Sequence, residues 1–137
     1  MMQTRNLSAC FDFFGAARAA RHFSGSAISQ DGKTVVVTIW EDEIEERDGR
    51  VTYQSPYPPI TQGQTVRISK KWITNLKWAR DHCKNLVRVV VLVAENPLVR
   101  PKTLHSCYPH DTLVMRITHF DTRTGAFRAE SIDESLS

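Results

Sequence analysis

The chain predicts an α+β domain built as a curved, mostly antiparallel sheet or a partly closed β-barrel, packed with two main helices. Three observations lead there. Two segments carry an apolar stripe at helical spacing, six carry strand patterning, and the turn signals Asp31-Gly32 and Asp121 to Gly125 join neighbouring strands as hairpins. Hairpins require antiparallel pairing, which excludes a doubly wound parallel sheet.

The first helix is expected over Asn6 to Ala20, where Leu7, Cys10, Phe11 and Phe14 form the stripe and a run of alanines extends it past Gly15. Strand patterning follows at Phe23 to Ser29. The β-branched segment Thr34 to Trp40 suits a strand buried on both faces. Asp48-Gly49 turns into a short strand, Arg50 to Ser55. Pro56, Pro58 and Pro59 then open a loop to about Gly63.

The clearest helix runs from Ser69, placed as an N-cap, to Lys84, with Trp72, Leu76, Ala79 and Cys83 as its core stripe. Lys70, Lys77 and Lys84 recur every seven residues on one solvent-facing line, and Trp78 lies away from the apolar stripe, beside Lys71. Leu86 to Ala94 reads as a strongly apolar strand closed by Pro97 and Pro101. A loop then carries His105, Cys107 and His110, and Leu113 to Phe120 and Ala126 to Ile132 form the last hairpin.

A chain of 137 residues fits one domain, 1–137, and charged residues at 24% with hydrophobic ones at 41% exclude a disordered or coiled-coil class. No apolar run is long enough to span a bilayer, so no membrane partner is expected. Three cysteines cannot all pair with one another and no secretory signal opens the chain, which points to free thiols and a cytoplasmic location. The basic stretch Arg5 to Phe23 also has the charge pattern of a transit peptide, the alternative to an ordinary helix.

The net charge of +3 is unevenly spread. Glu41 to Arg50 holds six acids and two bases, a solvated acidic loop, whereas Gln64 to Arg88 holds seven bases and one acid. Aligned lysines can track a phosphate backbone while an exposed tryptophan stacks on a base, so Lys70, Lys71, Lys77, Trp78 and Lys84 are the candidate nucleic-acid contacts, to DNA or RNA.

Catalytic signatures are missing: there is no G-x-S-x-G, no phosphate-cradling glycine loop and no H-E-x-x-H, and no cofactor is expected. The rival enzymatic reading is a small hydrolase or metal-dependent nuclease using Cys107 with His105 or His110, although their spacing matches no established metal site. A third reading makes the loop Pro56 to Pro59, with Tyr53 and Tyr57, a protein-contact surface.

Phe23-Ser24-Gly25-Ser26-Ala27 and the segment Asp31 to Glu43 resemble a group of uncharacterised bacterial proteins that share a W-S-W-x-A strand, a DG turn and a V-W-x-D-E strand. The chain is also similar to the pseudouridine-synthase-and-archaeosine-transglycosylase-like (PUA-like) fold, which includes EVE domains and related modified-base readers. Such readers flip a nucleotide into an aromatic-lined pocket and inspect its edge. The resemblance implies a ligand site with Phe23 and Trp40 as walls and Ser24 or Ser26 as polar contacts, and Tyr53 is the further ring expected to receive a base. Phe23 and Gly25 depart from the pattern, each standing where it has tryptophan.

Overall fold

The computed structural model describes residues 7–16, 26–55, 66–98, 104–123 and 125–132, with the side chains of 7, 55 and 66–71 outside the description. The elements are α1 (Leu7–Asp12), β1 (Ser26–Ile28), β2 (Val35–Trp40), a 3-10 turn (Glu41–Glu43), β3 (Glu45–Arg47), β4 (Arg50–Ser55), α2 (Val66–His82), β5 (Leu86–Ala94), β6 (Leu104–Phe120) and β7 (Phe127–Ser131). They form an α+β fold around a seven-stranded sheet of order β1-β2-β5-β6-β7-β4-β3.

Every pairing is antiparallel except β2 with β5, which run parallel with Val37 opposite Val89 and Ile39 opposite Val91. Hairpin signals could not reveal that pair, because its strands are joined through β3, β4 and α2, the long crossover a parallel pair needs. The sheet stays open, with β1 and β3 as its edges. It is nevertheless strongly curled. β4 lies four strands from β2, about 19 Å across a flat sheet, yet the Tyr53 hydroxyl donates to Glu43 Oε1, just beyond β2, at 3.3 Å.

Period-two alternation along β2 sends Val35, Val37 and Ile39 to one face and Val36 and Trp40 to the other, and all six residues of the strand are buried. The α2 face is the larger core, where Trp72, Leu76 and Ala79 meet Val89, Val91, Met115, Ile117 and Phe127. Beneath α1, Cys10, Phe11 and Ala16 pack on Val36, Trp40, Val90, Leu92 and Cys107. The helical stripe read from sequence is therefore core, although Cys83 at its end is only partly buried.

Both helices have different limits from those expected. α1 stops early because Gly15 takes φ +75, and the Ala16 and Gly15 amides bond back to the Phe11 and Asp12 carbonyls, a Schellman end that satisfies the last turn. Residues 17–20 lie outside the described residues. α2 begins at Val66, so Ser69 is inside the helix rather than its N-cap. It ends at His82, after which Lys84 and Asn85 both adopt positive φ and the Asn85 amide reaches the Ala79 carbonyl at 2.9 Å. Lys84 thus sits in the terminating turn, off the helical line that Lys70 and Lys77 would share.

The expected loop of His105, Cys107 and His110 is part of β6, one strand of 17 residues. Its prolines and polar residues suggested a break, but the ladder absorbs them by jumping from Arg88 opposite Val114 to Val90 opposite Pro109. The Arg88 guanidinium fills the resulting bulge, donating to the carbonyls of Leu113, His110 and Asp111 at 3.2, 3.4 and 2.7 Å.

The acidic stretch forms the 3-10 turn and the fully exposed edge strand β3, not a plain loop. Tyr108 donates to Glu41 at 3.0 Å, so with Tyr53 on Glu43 two tyrosines hold the turn. No helix among the described residues is long and apolar enough to cross a membrane.

Candidate functional site

The expected aromatic pocket does not form from the described side chains. Trp40 is 3% exposed and packs under α1, whereas Tyr53 is 1% exposed on the α2 face against Phe127, ring centroids 5.6 Å apart, so the sheet separates their rings. Burial, then the Glu43 charge, pushes the Tyr53 phenol far above its ordinary pKa, so it stays protonated. Ser26 is buried as well, its hydroxyl accepting from Asn75 Nδ2 at 2.9 Å, while Asn75 Oδ1 has no partner among the described residues. Phe23 and Ser24 lie outside the described residues. So do Pro56 to Pro59 and Tyr57 of the proposed protein-contact loop.

The histidines and cysteine of β6 diverge. His105 is exposed beside Ser106, Cys107 is buried against Cys10, and His110 Nδ1 accepts the Leu113 amide at 3.1 Å. Among the described residues no three His, Cys, Asp or Glu side chains gather in a way that could hold a metal. Cys107 accordingly has a thiol for a neighbour where a histidine was needed.

A different place brings candidate side chains together: the β1–β2 turn and the end of α2. The turn is braced by Asp31, which accepts from the Ser29 hydroxyl at 2.6 Å and the Lys33 amide at 2.9 Å, bonds that hold its carboxyl below the usual pKa. Trp78 lies across this turn. Its Nε1 donates to the Gly32 carbonyl at 2.8 Å, its six-membered ring rests on Gly32, and His82, one helical turn on, stacks at 3.9 Å between ring centroids. The Trp78 side of this arrangement remains 36% exposed.

Beside the turn, Lys33, Thr34, Cys83, Leu86, Val87, Arg88 and Val114 line an open cleft of about 210 Å3. Lys33, Lys77 and Lys84 are exposed, and none makes an ion pair within 4 Å among the described residues. Arg80, by contrast, is held by Asp81 at 2.9 Å. The Cys83 thiol points to the Lys33 carbonyl at 3.4 Å, and burial, then Asp31, raises its pKa, so it is a poor nucleophile.

Of the expected nucleic-acid contacts, Lys77 and Trp78 are exposed neighbours in the last turns of α2, and Lys84 is exposed in the turn that ends it. Lys70 and Lys71 belong to its opening turns, and their side chains lie outside the description. The sequence reading missed Lys33, His82 and Arg88. Position 82 could have been found from its four-residue spacing to Trp78, but Lys33 enters through a tertiary contact. The chain matches no known protein family, no curated protein and no solved structure.

Proposed function

We propose that this chain is a nucleic-acid-binding module of PUA-like character that holds a single strand at the junction of the β1–β2 turn and the end of α2. The observation that carries the reading is the exposed Trp78–His82 ring pair, 3.9 Å between centroids, on the turn that carries exposed Lys33 at the mouth of an open cleft, with exposed Lys77 and Lys84 in the same end of α2 and its closing turn. Lysines outside any ion pair within 4 Å among the described residues attract phosphates by releasing counterions, and exposed aromatic rings offer a base a sequence-tolerant platform. Because Trp40 and Tyr53 are packed in separate cores, binding here relies on stacking and charge more than on a base enclosed within the sheet.

The test is a titration of the chain with single-stranded oligonucleotides, methylated and unmethylated, at low and moderate salt. Binding should be clear at low salt and largely indifferent to methylation. Lys33→Glu and Lys84→Glu should each weaken it several-fold, whereas Arg123→Glu, the same charge change in the β6–β7 turn, should not. An absence of binding at low salt, or equal losses from all three variants, defeats the proposal.

A further inference from the structure

Two sulfurs meet in the interior across most of the chain's length. Cys10 Sγ of α1 lies 3.1 Å from Cys107 Sγ of β6, and both residues are 0% exposed. A disulfide needs about 2.05 Å between sulfurs, so closing the gap takes a shift of about 1 Å. The third cysteine, Cys83, is at the far side of the sheet beside α2 and has no thiol for a neighbour. The pair is thus selected by geometry among the three thiols.

We propose that Cys10 and Cys107 form an oxidation site, a dithiol that hydrogen peroxide converts to a disulfide tying α1 to β6. At 3.1 Å either sulfur can donate to the other; with the Cys107 S–H as donor, the contact favours the thiolate on Cys10 over the opposing effect of burial and leaves the proton with Cys107. Cys10 is therefore the first nucleophile. Its sulfur attacks one peroxide oxygen, the O–O bond breaks and hydroxide leaves, giving a sulfenic acid. The Cys107 sulfur then attacks that sulfenic sulfur. The S–OH bond breaks, the S–S bond forms, and the Cys107 proton departs with the hydroxyl as water. In total the two thiols lose two protons and two electrons, and one peroxide becomes two waters.

Peroxide is the oxidant that suits the site, being small enough to reach a buried sulfur through local opening of a helix of six residues. The product would join residues 97 apart, adding a covalent tie to α1, whose end is otherwise held by packing, by the Arg88 guanidinium 5.0 Å from the centre of the Phe14 ring and by the Gln30 amide donating to the Gly15 carbonyl at 3.0 Å.

The experiment treats the folded full chain with hydrogen peroxide, blocks remaining thiols after denaturation, and maps peptides by mass spectrometry. The expected product is a Cys10–Cys107 peptide with the intact mass lower by two hydrogens, present in Cys83→Ala and lost in Cys10→Ala. Wild-type mapping decides the matter even if a variant folds poorly. Recovery of both thiols unoxidised under conditions that oxidise Cys83, a bridge that includes Cys83, or a Cys10–Cys107 bridge that forms equally well in denaturant would each overturn the proposal.

Discussion

Trp78 Nε1 donates to the carbonyl of Gly32 at 2.8 Å, joining the exposed side of α2 to the tip of the β1–β2 turn. Gly32 is itself at φ +73, and a Cβ placed there would stand 3.3 Å from Trp78 Cζ2. Gly32→Ala therefore combines a left-handed backbone with a crowded ring, and we expect a loss of about 2–3 kcal/mol. Gly49→Ala meets the same backbone penalty at φ +77 with nothing within 4 Å, and about 1 kcal/mol should suffice. Denaturant melts of the two variants isolate the Trp78 contact as their difference; equal losses would show that the ring yields freely.

Trp78 should also report on binding by itself. Trp40 and Trp72 are 3% and 0% exposed, so a neutral quencher reaches Trp78 first. Bound oligonucleotide should shield that quenching, and Trp78→Ala should abolish the change while weakening affinity by about 1–3 kcal/mol, the range for one stacked base. Unchanged affinity in Trp78→Ala would reduce its role to bracing the turn.

Salt dependence measures the lysines. Each phosphate contact on single-stranded nucleic acid contributes a slope of about 0.7 in log K against log salt. Replacing Lys33, Lys77 and Lys84 together by glutamine should flatten that slope by about 2. A slope that stays the same places the phosphate contacts elsewhere.

Tyr53 sets an alkaline limit. Its folded pKa is raised above the ordinary value of 10, by burial first and the Glu43 charge second. Its contribution to stability is whole below pH 10 and is lost progressively as pH rises above it, because the unfolded chain releases the phenolic proton first. Tyr53→Phe keeps the ring on Phe127 and gives up the hydrogen bond to Glu43, so it should cost about 1 kcal/mol at neutral pH. Melting temperatures from pH 8 to 11 should then fall more steeply for wild type than for Tyr53→Phe.

The α2 core offers a paired test. Leu76→Ala should cost about 2–5 kcal/mol, since the side chain is fully buried. Trp72→Phe removes the donor that reaches the Gly125 carbonyl at 3.0 Å in the β6–β7 turn, leaving a buried acceptor unsatisfied at about 1–3 kcal/mol. Chemical denaturation reads both, and a Trp72→Phe variant of wild-type stability would mean that water replaces the indole.

Local signals carried much of the architecture. The β-branched run before Trp40 announced a strand covered on both sides, and the spacing of Trp72, Leu76 and Ala79 announced the face of α2 that is buried. The turn at Asp31-Gly32 and the β6–β7 connection were equally visible, because turn chemistry resides in adjacent residues. The stretch around Pro109 was misread for the same reason. Its local preference favours a loop, and the partner that makes it strand is the β5 ladder with Arg88 sealing the bulge.

Hydrophobic periodicity and turn residues thus specified the buried strand β2, the core face of α2 and the two hairpin turns, all of which depend on neighbours within a few residues. Folding in three dimensions settled the rest: the parallel β2–β5 pair, the burial of Trp40 and Tyr53 in separate cores, the arrival of Gly32 against Trp78, and the meeting of Cys10 with Cys107. Those depend on contacts between residues tens of positions apart, which no periodicity encodes because sheet order and curl, not local preference, bring them together.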